Sequence, residues 1–198
     1  MKFNQDEINK ALIESAKHEL KKNVRDPGSE KIITRYWEQA GWLRWMRNEV
    51  GQDLYKRTSG VDWCGMFVSH CANQIGQFLR EDKCLDVEFK KNIRLHVLPS
   101  TYRLQSKSHW KKAGVKEIPY VKKEDLKEGD VVVLRWSGGP HYGNHITICR
   151  EIIGDKMITI EGNARSEDSS HRGVVKRVRN KSDIAKIYRL KPDFFVTD

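Results

Sequence analysis

The chain has 198 residues, the size of one ordinary domain (1–198), which leaves no room for a second catalytic domain. Hydrophobic residues make up 38% and charged residues 32%, a composition that supports a packed core and excludes an intrinsically disordered chain. The formal net charge of +10 predicts attraction to a polyanion, whether nucleic acid, an acidic membrane or a bacterial wall polymer.

Several further classes of protein are disfavoured. Acidic residues interrupt the basic ones, and no basic stripe carries stacking aromatics, which argues against a specific nucleic-acid binder. The N-terminus lacks the apolar stretch of a secretory signal, and no segment approaches the ~20 apolar residues of a transmembrane helix. The four cysteines are too few for a disulfide scaffold and lack metal-knuckle spacing, so we interpret them as thiols.

The first part of the chain is predicted to be helical. Apolar residues recur at helical spacing from Ile8 to Leu20 and predict an amphipathic helix, which a break at 26–28 ends. Residues 1–28 therefore form an N-terminal helical extension. Ser29 is a suitable N-cap for a second helical stretch. That stretch carries a set of large side chains that we expect in the core: Tyr36, Trp37, Trp42, Trp45 and Met46.

A further helix is predicted to begin at Cys64, directly after a short loop at 58–60. Six residues share its apolar face: Cys64, Phe67, Val68, Cys71, Ala72 and Ile75. Gly76 is placed to end this helix. The charged stretch 80–98 is weakly patterned and is interpreted as a connecting excursion, after which Ser100 opens a helix that stops near Gly114.

From Gly129 onward the pattern changes to strands. Residues 131–136 form an apolar run, whereas residues 145–149 and 157–161 alternate between apolar and polar. A turn at 154–155 would make the two alternating strands neighbours in a hairpin. Helices followed by strands predict an α+β fold in which helices pack against an antiparallel sheet.

Cys64 is the thiol best placed for catalysis. A cysteine in the first turn of a helix faces unpaired backbone N–H groups and the positive end of the helix dipole, which stabilise the thiolate. Cys71 lies two turns deeper on the apolar face and is interpreted as packing. Cys84 lies in charged surroundings and Cys149 ends a strand, so neither has an activating feature.

His145 is the candidate base among seven histidines. A thiolate nucleophile needs a group that protonates the leaving amine, and histidine has a pKa near neutrality. His145 begins an alternating strand, where it is well held and still reachable. His141 lies in the loop GGPHYGN, whose expected mobility suits substrate contact, and His70 is rotated away from Cys64 on the same helix.

The base must itself be oriented by a polar partner. In MITIEGN, alternation puts Glu161 and Asn163 on one face of a strand, and this face can meet His145 if the strands pair. Either a carboxylate or an amide would hold the imidazole, so both residues are candidates.

Four segments resemble a known family. WCGMFVSHCANQIG resembles the nucleophile segment of the CHAP family, the cysteine- and histidine-dependent amidohydrolases and peptidases of the papain-like clan. DLKEGDVVVLRW, HITIC and ITIEGN resemble its Gly-Asp, histidine and Glu-x-Asn strands in the same order. The resemblance covers 29–190, although the family often has Val-Gly-Ile-Val after the histidine and the excursion at 80–98 looks longer than usual.

The resemblance implies a papain-like CHAP fold and a cysteine hydrolase. It implies Cys64 as nucleophile, His145 as base, and Glu161 with Asn163 as the orienting positions. The CHAP pattern favours Glu161 for this role, whereas papain-like enzymes in general use an amide. No metal and no cofactor is expected.

The resemblance also implies a substrate, the stem peptide or cross-bridge of peptidoglycan. The activity would be that of an N-acetylmuramoyl-L-alanine amidase or a cross-link endopeptidase, and Trp63, His141 and Tyr142 are expected to contact the substrate. We expect a monomer that is attracted by charge to anionic wall polymers. Without a signal peptide, it would be made in the cytoplasm and act in the wall or periplasm, after holin-type release of an endolysin or after secretion-system delivery.

Three alternatives stay open. A papain-like protease or deamidase toxin would keep the same chemistry and act on a protein. A zinc site at His141 and His145 is suggested by their spacing of four, but the close cysteine pair that usually accompanies such spacing is absent. A non-enzymatic nucleic-acid binder is supported by charge alone.

Overall fold

The structure, a computed structural model, describes residues 3–40, 63–83, 87–98, 101–135, 145–168 and 170–197. Its helices are α1 (Gln5–Lys21), α2 (Glu30–Gln39), α3 (Cys64–Lys83), α4 (Lys91–His96), α5 (Thr101–Gln105) and α6 (Lys107–Lys112). Its strands are β1 (Arg25–Asp26), β2 (Val87–Phe89), β3 (Tyr120–Val121), β4 (Val131–Leu134), β5 (His145–Ile153), β6 (Lys156–Arg165), β7 (Arg172–Asn180), β8 (Ile184–Tyr188) and β9 (Phe195–Thr197). None of the helices in these ranges is long and apolar enough to cross a bilayer.

Strands from both ends of the chain form the main sheet. Its order over the described residues is β1-β7-β6-β5-β4-β8-β3, and each neighbouring pair is antiparallel. The predicted hairpin of β5 and β6 is present, with Ile148 opposite Ile160. The prediction of an α+β fold with helices against an antiparallel sheet is therefore confirmed.

An apolar cluster fixes α3 on the sheet. α3 packs against β5 and β6, and α1 and α2 pack against α3. Phe67 and Ile75 of α3 and Ile146, Ile148 and Ile160 of the strands are fully buried members of this cluster. Each such side chain contributes about 1.5–3 kcal/mol when buried. This packing therefore holds the first turn of α3 at a fixed position relative to the start of β5.

The Gly-Asp pair before β4 ties the sheet to α1. Gly129 has a φ of +83°, and a Cβ there would lie 2.5 Å from the Cβ of Asn9, so both backbone conformation and space require glycine. Asn9 in turn donates from Nδ2 to the carbonyl of Glu128 at 2.8 Å. Asp130 is fully buried, and Arg189 donates two hydrogen bonds to its carboxylate at 2.7 and 2.8 Å. The Gly129–Asp130 pair thus connects α1, the start of β4 and Arg189.

A buried polar cluster joins α3 to α1 and α2. Glu19 is buried and accepts from Tyr36 Oη at 2.7 Å and Lys22 Nζ at 2.5 Å, and His70 Nε2 lies 3.1 Å from it. His70 Nδ1 is hydrogen-bonded to Gln39. Burial acts to raise the pKa of Glu19, but the bonds to His70, Lys22 and Tyr36 outweigh burial and lower it to about 2. His70 thus holds α3 in place and is turned away from Cys64, as predicted.

Two predicted helix boundaries are wrong. α3 continues through Gly76 to Lys83, because Phe78 and Leu79 extend its packed face and outweigh the ~1 kcal/mol cost of a helical glycine. The predicted single helix before the sheet is divided at Ser106 into α5 and α6. Its predicted end near Gly114, which has a φ of +80°, is confirmed.

Two segments contain strands that the sequence did not predict. The stretch 80–98, interpreted as a connecting excursion, includes β2 and α4, and β2 pairs with β9 near the end of the chain. The N-terminal extension, predicted to be helical, includes β1, which pairs with β7. Both strands are short and their partners are distant in sequence, so alternation within them gives no usable signal. Trp42, Trp45, Met46, Cys84 and Trp136 lie outside the described residues.

Candidate active site

Cys64 is the first residue of α3 and is 7% exposed. It lies where unpaired backbone N–H groups and the positive end of the helix dipole stabilise a thiolate. The first turn of α3 contains no acidic side chain that would oppose this effect. The position predicted for Cys64 at a helix start is therefore present.

Trp63 anchors the start of α3 from the inside. Its side chain is fully buried, its indole Nε1 donates to Asp26 Oδ2 at 3.2 Å, and its ring lies 5.8 Å from that of Tyr36. This side chain faces the interior and no part of it is exposed, so the structure gives it a packing role, and its contact with substrate stays a prediction. The other two residues expected at the substrate, His141 and Tyr142, lie outside the described residues.

His145 lies between the thiol and a carboxylate. It is the first residue of β5 and is 5% exposed. Its Nε2 donates to Glu161 Oε2 at 3.0 Å, and the imidazole is also hydrogen-bonded to the side chain of Cys64. Since Nε2 is engaged by Glu161, Nδ1 is the nitrogen left for the sulfur. The structure thus brings together Cys64, His145 and Glu161.

The charge state of His145 follows from its two partners. Burial acts to lower the pKa of His145, but the hydrogen bonds and charges of Cys64 and Glu161 outweigh burial and raise it to about 10. Such an imidazole holds its proton through the neutral range and stabilises a neighbouring thiolate. The arrangement therefore places a protonated imidazole beside the sulfur of Cys64 in the neutral range.

Glu161 is a fully buried carboxylate with four donors. Oε1 accepts from Thr159 Oγ1 at 2.6 Å and from Arg179 Nε at 2.8 Å. Oε2 accepts from His145 and from Arg179 Nη2 at 2.7 Å. Burial acts to raise the pKa of Glu161, but the bonds and charges of Arg179 and His145 hold it well below its usual range. Glu161 is therefore ionised throughout the range in which His145 titrates.

Asn163 does not share the alternation of Glu161. Pairing between β6 and β7 shifts between Glu161 and Ala164, and Asn163 has a φ of +59°. This bulge inserts one extra residue on β6, so the regular alternation expected for ITIEGN is wrong at this point. Asn163 Oδ1 accepts from Arg172 Nη1 at 3.4 Å, whereas the carboxylate bonded to His145 Nε2 is that of Glu161.

The other described cysteines are unsuited to nucleophilic attack. Cys71 and Cys149 are fully buried, and both are free thiols. Burial raises the pKa of Cys71 well above its usual value, and burial together with the charge of Asp130 raises that of Cys149 to about 12. Their thiolates are therefore disfavoured, which agrees with the interpretation of Cys71 as packing.

Two residues of the site were not predicted. Thr159 lies on the same alternating face as Glu161, so the strand pattern contained a signal for it. Arg179 is on β7 and reaches Glu161 through the pairing of two strands, which no local pattern specifies. Within the part of the chain that the structure describes, no group of three His, Cys, Asp or Glu side chains is arranged to hold a metal ion.

Gly162 allows α3 to approach β6 closely. A Cβ at this position would lie 2.4 Å from the Cβ of Phe67 and 2.9 Å from Cζ3 of Trp63. Real Cβ atoms do not approach other atoms this closely, so a side chain here would push the start of α3 away from the sheet. The glycine of ITIEGN thereby sets the distance between the helix that carries Cys64 and the strand that carries Glu161.

Gly162→Ala is expected to lower the stability of the fold by about 1–3 kcal/mol and to slow iodoacetamide alkylation of Cys64 about tenfold. Both effects follow from displacement of α3, and urea unfolding and peptide mass spectrometry would measure them. Gly154→Ala is the control for the alkylation rate: its φ of +58° makes the substitution costly to stability as well, but no atom lies within 4 Å of an added Cβ, so α3 is not displaced. Equal alkylation rates for the two variants would contradict this account.

Comparison with models of protein families finds a match. The model of the CHAP domain matches residues 55–163, more than half of the chain. The matched segment contains Cys64, His145 and Glu161, and it is shorter than the resemblance at 29–190, so that β7 lies beyond it. Searches of curated proteins and of solved structures found no significant match.

Proposed function

Because the chain belongs to the CHAP domain family of cysteine- and histidine-dependent amidohydrolases and peptidases, we propose that it hydrolyses amide bonds of bacterial peptidoglycan. The bond is either the N-acetylmuramoyl-L-alanine amide or a peptide bond of the cross-link. The observation that carries the proposal is the buried series of hydrogen bonds from Cys64 through His145 to Glu161. It provides a nucleophile, a proton donor and an orienting charge, which are the groups that amide hydrolysis requires.

The reaction proceeds in two halves. The Cys64 thiolate attacks the carbonyl carbon, and the His145 imidazolium gives its proton to the leaving amine as the C–N bond breaks, which leaves a thioester. Neutral His145 then takes a proton from water, and the resulting hydroxide attacks the thioester. The C–S bond breaks, the acid product leaves, and the thiolate–imidazolium pair is restored. Glu161 stabilises the imidazolium and stays hydrogen-bonded to Nε2 of His145, which leaves Nδ1 for Cys64.

The charge of the chain supports a wall substrate. A net charge of +10 attracts the protein to anionic wall polymers, an effect that salt screens beyond about 8 Å at physiological ionic strength. The site of action under this proposal is the cell wall or periplasm. The protein reaches it as an endolysin after holin-type release, or by delivery through a secretion system.

The test of this function is digestion of purified peptidoglycan, with the new end groups identified by mass spectrometry. Cys64→Ala and Cys64→Ser are expected to lower the rate by about 10³-fold or more because they remove the nucleophile. Cys71→Ala is the matched control on the same helix and should retain activity. A free alanine amine on the stem peptide identifies the amidase, and a free cross-link amine identifies the endopeptidase. Full activity in Cys64→Ala, or release of neither end group by the wild type, would refute the proposal.

Glu161→Gln separates the two candidates for the orienting role. The substitution keeps shape and removes the charge that stabilises the imidazolium, so turnover should fall by about 10²-fold or more. The pKa of His145 should fall with it, which moves the alkaline limb of the pH–rate profile to lower pH. Asn163→Ala should have the smaller effect on both quantities. An active Glu161→Gln together with an inactive Asn163→Ala would assign the role to Asn163.

A further inference from the structure

The guanidinium of Arg179 binds the carboxylate of Glu161 from β7, on the side of β6 opposite to β5 and His145. Arg179 donates from Nε to Oε1 at 2.8 Å and from Nη2 to Oε2 at 2.7 Å. Two parallel bonds from a rigid planar fork fix the plane of a carboxylate as well as its position. With that plane fixed, Oε2 has a lone pair left for one donor, and the donor it meets is His145 Nε2 at 3.0 Å.

Arg179 reaches this carboxylate along the face of the sheet. In the ladder of β6 and β7 its partner is Met157, whereas the residue opposite Glu161 is Val175. The side chain therefore extends past Thr159 to make both bonds, which uses the full length of an arginine. Its side chain is 20% exposed, so the ion pair is mostly removed from water and weakly screened.

The groups that bind the Glu161 carboxylate come from three neighbouring strands. His145 faces it from β5 and Arg179 from β7, while Thr159 of β6 contributes a neutral hydroxyl. Asp183, after β7, is a further charge near the guanidinium. A buried carboxylate that lacks a neighbouring cation has a pKa well above its usual value. Protonated Glu161 would no longer support the imidazolium on which the thiolate of Cys64 depends.

We propose that Arg179 is a positioning residue of the active site, which keeps Glu161 ionised and oriented so that it supports the His145 imidazolium. Arg179 lies beyond the segment that the CHAP model matches, so β7 contributes this part of the site. The proposal deepens the proposed function and rests on the same catalytic pair. It does not depend on which amide bond is cleaved.

The test follows alkylation of Cys64 by iodoacetamide as a function of pH, with peptide mass spectrometry to distinguish it from the other thiols. This reaction reports the thiolate directly and needs no substrate, so its outcome is independent of whether peptidoglycan is hydrolysed. The acidic midpoint is the pH at which the alkylation rate of Cys64 reaches half of its maximum as the pH rises. In Arg179→Met this midpoint should move to higher pH by about one unit or more, because both the ionisation of Glu161 and a positive charge are lost. Arg179→Lys keeps the charge with one bond and should move it in the same direction by less.

Arg177→Met is the matched control, because Arg177 lies two residues away on the same strand face and donates to the carbonyl of Arg165 instead of to a carboxylate. Its midpoint should equal that of the wild type. A purely structural role for Arg179 would lower stability in urea unfolding without moving the midpoint. An unchanged midpoint in folded Arg179→Met overturns the proposal, and if that variant does not fold, an unchanged midpoint in Arg179→Lys overturns it.

A double-substitution cycle adds a second criterion, measured as kcat on whichever amide substrate the wild type cleaves. Because Arg179 acts through Glu161, Arg179→Met should lower kcat about tenfold or more in the wild type but by less than twofold in Glu161→Gln, with KM unchanged in both. An equal loss of kcat in the two backgrounds would show that Arg179 acts by another route and would overturn the proposal.

Discussion

The buried ionised carboxylate of Glu161 is the constraint on which this site depends. A charge removed from water is costly unless hydrogen bonds and an opposite charge compensate it. His145, Thr159 and Arg179 supply that compensation from three adjacent strands. All of these bonds require β5, β6 and β7 to keep one register, since a slip by one residue would turn the donors to the other face. The pairing of the sheet and the charge state of His145 are therefore linked.

The second constraint is the approach of α3 to this sheet. Cys64 lies on a helix and His145 on the sheet, and each is the first residue of its helix or strand. Their side chains therefore meet only if the start of α3 and the start of β5 lie at the same end of the fold. The apolar cluster of α3 sets this distance, and Gly162 permits it by offering no side chain to Phe67 and Trp63. The cluster around Glu19 holds the same helix from its other side. Cys64 is thus positioned by packing on both sides of α3.

Much of this site could be predicted from local sequence, and the limits are physical. A thiol after a loop and a histidine at the start of an alternating strand are local signals, and so is Glu161 on the next strand. Asn163 was misplaced because a bulge interrupts the alternation, and the glycine at position 162 that accompanies the bulge does not by itself fix where the register shifts. Arg179 was missed because its contact depends on the pairing of β6 with β7. The β2–β9 pair was missed for the same reason, since its partners are far apart along the chain.

The central claim is that His145 is an imidazolium held between a thiolate and a carboxylate. An NMR pH titration of ¹⁵N-labelled histidine rings, assigned with His145→Gln, measures this most directly. We expect the His145 ring in the wild type to stay protonated far above the ordinary value of 6.5, with a pKa near 10. In Cys64→Ala that pKa should fall, because the thiolate is gone and Glu161 alone supports the charge. A wild-type pKa at or below 6.5, unchanged in Cys64→Ala, would contradict the account.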